Sequence, residues 1–172
     1  MGNSLVGYEF LFSAFAFAVG AVVGSFLNVC IYRLPLDLSV NKPRRSFCPS
    51  CRKQLTWWQN VPLFSWLVLR GKCAHCGAGI AFRYFAVELL TALLFLLVWK
   101  TFPWEMAIAY WVFVSLLIAA TFIDFEHFII PDEITIGGTV AGIVASFVVP
   151  ELMNTASRGR ALLTSALSAL LG

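Results

Sequence analysis

Charge is what this sequence has least of. Asp, Glu, Lys and Arg make up 12% of its 172 residues, about half the share a soluble chain uses to cover its surface. That shortfall excludes an ordinary water-soluble domain. The 60% of hydrophobic residues and the mean hydropathy of +0.84 point to lipid as the natural solvent. Lys and Arg are also missing before Arg33. A cleaved secretory signal has a basic start and a shorter apolar core, so the uncharged stretch 10–32 reads as a membrane span instead. No internal repeat or low-complexity tract is visible, and collagen-like and disordered chains are excluded.

Acids are scarce where cations are dense. Nine of the twelve Lys and Arg lie between positions 33 and 83: Arg33, Lys42, Arg44, Arg45, Arg52, Lys53, Arg70, Lys72 and Arg83. Asp37 is the only acid there, so the stretch carries a net +8. Basic loops between apolar segments stay on the cytoplasmic side, which puts the N-terminus outside. Further spans are expected over 84–99, 106–123 and 134–149, with Pro103 breaking an exterior turn. Arg158 and Arg160 fall on the outer side in this topology, a minor conflict that the +8 loop outweighs. The apolar segment 161–172 rises only about 18 Å and cannot cross a core of about 30 Å. The chain is therefore expected to be a piece of a longer one. The fold expected is an all-α polytopic membrane protein with four to five transmembrane helices in this piece. Its regions are a first transmembrane helix (1–33), a four-cysteine cytoplasmic loop (34–83) and a membrane region (84–172).

Four of the five cysteines form C-x2-C-x21-C-x2-C: Cys48, Cys51, Cys73 and Cys76. Disulfides are disfavoured in the reducing cytosol. Two CxxC turns each aim two thiolates at one point, which completes the closed tetrahedral shell of structural zinc; free or redox thiols are the alternative. Four thiolates on a divalent ion leave −2, partly offset by Arg52, Lys53 and Lys72 beside them. His75 reads as a neighbour of the site rather than a ligand, and Cys30 as a small apolar packing residue.

The other chemical signal is acidic. Asp124, Glu126, Asp132 and Glu133 fall within ten positions at the end of the third span. Carboxylates near lipid usually have a task or a partner, and two that share a proton can activate water. Asp124, directly after the apolar run, is the best candidate; its alternative is the solvated end of a helix. Asp132 reads more simply as an N-cap. His127, one turn after Asp124, is a supporting residue or only its hydrogen-bond partner. Glu88, inside an apolar helix, is either functional or paired, for instance with Arg83. Trp57, Trp58 and Trp66 read as contacts with the bilayer interface or as packing over the cysteine module.

Taken together, several runs resemble the type IV prepilin peptidases. They are GSFLNVCIYRLP (24–35), CPSC (48–51), NVPLFSWLVLRGKC (60–73), RY with VELLTA (83–84 and 87–92), and ID to IPD (123–132). The resemblance implies a GxGD-type membrane aspartyl protease of the bacterial inner membrane, serving type IV pili or type II secretion. It removes the basic leader of prepilins and pseudopilins, then methylates the new N-terminus with S-adenosylmethionine. Asp124 matches the first catalytic aspartate, and the four cysteines match the zinc loop of bifunctional members. Phe85 stands where the family usually has Pro, expected to change only a local turn. No GxGD occurs in the chain, so the second aspartate is missing. The partners expected are pilin-like substrates and lipid, not nucleic acid. The competing readings are a non-enzymatic scaffold using its zinc module to hold a partner, and an inactive fragment of the peptidase.

Overall fold

The computed structural model describes residues 2–42 and 46–171. Arg44, Arg45 and Gly172 lie outside the described residues. As expected, the structure is nearly all helical: α1 (Gly2–Arg33), α2 (Phe64–Val68), α3 (Phe82–Thr101), α4 (Trp104–His127), α5 (Asp132–Val148) and α6 (Arg158–Leu171). Among the described residues, three stretches are long and apolar enough to cross a bilayer: Tyr8–Leu36, Phe82–Thr101 and Trp104–His127. At 17 residues, α5 rises about 25 Å and stands at the lower limit for a span; α6, with 14 residues, rises about 21 Å. Of the four to five spans expected, three therefore meet the length, because the apolar run before Pro150 is too short to lengthen α5.

The chain divides into two compact units, Met1–Leu97 and Val98–Gly172. In the first, burial inverts the pattern of a soluble protein. The buried face of α1 carries Ala16, Ala21, Leu27, Asn28 and Ile31, whereas Phe10, Phe12, Phe15, Val22 and Phe26 are exposed. On α3 the buried set is Val87, Glu88, Thr91, Ala92 and Phe95, with Leu90, Leu93 and Leu97 outward. Lipid tails are as apolar as Leu, so small and polar residues gain more from facing another helix.

Two glycines set how closely α1 and α3 approach. A Cβ on Gly20 would stand 2.7 Å from Ala92 Cα, and one on Gly24 would stand 2.7 Å from Glu88 Cα. Both obstacles are backbone, so the helices would have to separate. Gly20→Ala and Gly24→Ala are each expected to destabilise the protein by about 1–3 kcal/mol. Thermal unfolding in detergent reads this out, with Gly137→Ala in α5 as the control: nothing stands within 4 Å there, and no loss is expected.

In the second unit, Pro103 takes the N-cap position of α4, and Trp99 stacks near Trp111 with ring centroids 6.0 Å apart. Helices α5 and α6 are joined by a turn over Pro150–Met153, and the Ser146 and Ser165 hydroxyls meet at 2.7 Å between them. Helix α4 ends at Phe128, whose left-handed backbone lets its N–H donate to the Asp124 carbonyl at 2.8 Å.

Candidate metal centre and acidic segment

The cysteine module is built from one backbone design used twice. In the first copy, Cys48 N–H donates to the Lys53 carbonyl (3.0 Å) and Arg52 N–H to the Cys48 carbonyl (2.8 Å). Twenty-five positions on, Cys73 N–H donates to Ala78 (2.8 Å) and Gly77 N–H to Cys73 (2.9 Å). Antiparallel bridges Phe47–Gln54 and Lys72–Gly79 flank the turns at the same offset. The residue after each CxxC, Arg52 and Gly77, has positive φ. The chain thus does contain an internal repeat, over 46–55 and 71–80. It escapes the sequence because backbone hydrogen bonds define it, and little beyond the paired cysteines is shared.

The two turns bring all four sulfurs within 4.8 Å of one another, with Cys48 and Cys76 Sγ 3.8 Å apart. Sulfurs about 2.3 Å from one ion in a regular tetrahedron stand about 3.8 Å apart, so the donor set fits a four-coordinate metal. None of the cysteines is in a disulfide. The Cys51 backbone N–H favours the Cys48 thiolate and, against partial desolvation, lowers that pKa to about 6. At Cys76 the Ala78 N–H also favours the thiolate. There, desolvation and hydrogen bonding with the other three cysteines prevail and push the pKa up to about 11. His75 contributes its backbone N–H to Cys73 Sγ at 3.5 Å and is not among the four ligands. Cys30 stands apart, half-buried in α1.

Two buried side chains, Arg33 and Glu88, fasten the loop to the helix pair, and a third, Asn28, joins α1 to α3. Arg33 donates to the carbonyls of Ser39 (3.0 Å) and Val40 (2.9 Å), and Asn28 donates to Tyr84 (2.9 Å). Glu88 accepts the backbone N–H of Leu63 at 2.7 Å, with the Ser25 hydroxyl as a second partner. Leu63 has φ 61° and ψ −51°, and Phe64 N–H donates to the Pro62 carbonyl at 2.6 Å. This is a γ-turn of the rare, strained hand, a backbone that persists only when its surroundings hold it. The Glu88 carboxylate does so. Glu88→Leu is expected to remove a charge-assisted bond of about 1.5–3 kcal/mol. Hydrogen exchange at the Leu63 amide should then quicken about tenfold or more, while Glu88→Gln, which keeps an acceptor oxygen, stays close to the native rate.

Trp66 packs into this corner rather than opening to solvent. Its ring lies 5.0 Å from Phe85 and 5.7 Å from Phe82. Phe85, in the first turn of α3, therefore does more than alter a turn, because its ring is part of this aromatic cluster. Trp57 is exposed, and Trp58 is half-buried.

In the second unit, α4 runs one turn past the expected end of its apolar run, so Asp124 and His127 both lie in its last turn. Asp124, Glu126, His127, Asp132 and Glu133 are all exposed. Among the described residues, no hydrogen bond joins the side chains of Asp124 and His127. Asp132 is not the N-cap expected of it. Pro131 occupies that position, and its carbonyl accepts the Ile134 N–H at 3.0 Å. Asp132 is the first helical residue, where its charge favours the positive end of α5. Sequence reasoning passed over Gly20, Ser25, Asn28 and the strained Leu63. The GxxxG spacing and a lone Asn in an apolar run were available signals for two of them.

Fold and site define a polytopic α-helical membrane protein with a four-cysteine cluster between its first two long helices. Residues 18–102 match the Bacterial Peptidase A24 N-terminal domain, and residues 111–172 match the Type IV leader peptidase family. The chain belongs to the type IV leader peptidase family. It is 49% identical to the prepilin leader peptidase/N-methyltransferase of Myxococcus xanthus over 148 residues, covering 84% of this chain and 44% of that protein. It is 40% identical over 149 residues to the type 4 prepilin-like proteins leader peptide-processing enzyme of Escherichia coli, covering 74% and 54%. With the Aeromonas hydrophila prepilin leader peptidase/N-methyltransferase the identity is 36% over 170 residues, covering 83% and 59%. The chain thus spans about half the length of these relatives. No solved structure matches.

Proposed function

We propose that this chain is the part of a membrane aspartyl endopeptidase that carries the first catalytic aspartate, Asp124, and the metal module. The enzyme cleaves the leader of type IV prepilins or pseudopilins at the cytoplasmic face of the bacterial inner membrane, then N-methylates the new terminus. The observation that carries this reading is 49% identity, over 84% of the chain, to a protein named for both activities. The exposed position of Asp124 in the last turn of a helix long enough to span lends support, because a carboxylate there can meet a substrate emerging from the bilayer.

In this reading Asp124 and a second aspartate share one proton. One carboxylate draws a proton from water while the other donates a hydrogen bond to the scissile carbonyl after the leader's glycine. No covalent intermediate forms. The 172 residues contain no GxGD, so cleavage requires that the second aspartate be supplied with them. Asp132 and His127 are supporting residues, and the acids around them attract the basic leader. The four cysteines hold zinc in a structural role, since a closed shell leaves no position for substrate. S-adenosylmethionine supplies the methyl group, with the loop of 34–83 as its proposed site, between the first transmembrane helix (1–33) and the membrane region (84–172).

The test is leader cleavage and terminal methylation of a prepilin by the full-length protein in liposomes. Both products are expected by mass spectrometry. A scaffold would yield neither, and an inactive fragment would yield them only once GxGD is supplied.

A further inference from the structure

The module holds a second surface, apart from its four cysteines. Helix α2 presents Phe64, Leu67 and Val68, spaced i, i+3 and i+4 along one face, at 56%, 57% and 54% exposure. Trp57, on the adjacent turn Trp57–Asn60, is 82% exposed. Four large apolar side chains open to water within twelve positions are unusual in a loop and mark a contact surface.

Where that surface lies follows from what pins it. Leu63, just before α2, is bonded to Glu88, six residues into α3 and so about 9 Å along it. On the other side of α2, Trp66 rests on Phe82 and Phe85. Helix α2 therefore runs beside the first two turns of a membrane-length helix, where headgroups give way to acyl chains. Phe82 and Leu90, in the first turns of α3, are exposed as well. Five residues are too few to hold a helix in water unaided, and the Glu88 bond and Trp66 packing supply the anchorage. Positions 46–81 contain no acid, while Arg52, Lys53, Arg70 and Lys72 are exposed.

We infer that α2 and Trp57 form a membrane-interface element that seats in the leaflet on the module's side, with the flanking cations favouring anionic phospholipid. It holds the metal module down against the bilayer. The inference rests on α1 and α3 being spans and is independent of the peptidase reading.

The test uses the full-length protein in nanodiscs, with an environment-sensitive fluorescent residue replacing Leu67 or, as control, the exposed Gln54. Lipids spin-labelled high on the acyl chain are expected to quench position 67 several-fold more than position 54. Adding phosphatidylglycerol to phosphatidylcholine should strengthen the effect. In Glu88→Leu the difference should shrink with metal content unchanged, and in Glu88→Gln it should persist. Equal quenching at the two positions would overturn the inference. So would protection of position 67 from both lipid-borne and aqueous quenchers, which would mean that protein covers the face. Equal quenching with and without phosphatidylglycerol would remove the anionic preference.

Discussion

Asp124→Asn in the full-length enzyme is expected to lower leader cleavage about 10⁴-fold while leaving expression, helix content and metal content unchanged. The side chain keeps its size, so no packing is lost. What disappears is a group that can take a proton, and general acid–base catalysis of this kind contributes about 10²–10⁴-fold. The exposed carboxylate makes this a clean test, since its removal strands no buried partner. Cleavage of a synthetic prepilin, followed over time with wild type and variant side by side, measures it. Asp132→Asn is the comparison: its charge sits at the start of α5, so a smaller effect is expected.

The second large effect concerns the metal. One zinc per chain is expected by elemental analysis, and none in Cys48→Ser or Cys73→Ser. Structural zinc contributes about 10–16 kcal/mol of binding free energy in small domains, so the module of 46–80 should become protease-sensitive when the metal leaves. Helices α1 and α3 should stay paired, because their Gly20 and Gly24 contacts do not involve the module's metal. The pH dependence has a definite sign. Binding needs thiolates; Cys48, with a pKa of about 6, enters as one at neutral pH, whereas Cys76, near 11, must release a proton. Protons therefore compete, and affinity falls as pH drops, more steeply below about 6 where Cys48 is protonated as well. Zinc retention after dialysis across this range checks the direction.

What could be read from the residues alone was whatever composition and spacing control. Scarce charge announced lipid, and the paired CxxC turns announced a four-sulfur cluster, because both are properties of side-chain chemistry that no fold need reveal. The extent of α4 was harder. The acids after Ile123 look like the start of a loop, yet the helix continues until Phe128 adopts the left-handed cap. Asp132 looked like a cap because of its type, but Pro131 already held that position and its carbonyl took the first helical N–H. The Leu63 turn was not legible at all. Nothing in NVPLFSW announces a strained γ-turn, which exists because Glu88, twenty-five positions away, accepts its N–H. The doubled backbone design of the metal module was hidden for the same reason, being written in main-chain hydrogen bonds.

The most direct test is the distance, in an experimental structure of the full-length enzyme, between the Asp124 carboxylate and the aspartate of GxGD. The account predicts oxygens within about 6 Å, the reach of one bridging water, on the same side of the membrane as the cysteine module. A separation beyond about 10 Å, too far for one water to bridge, or an Asp124 on the opposite side from the module, would contradict it.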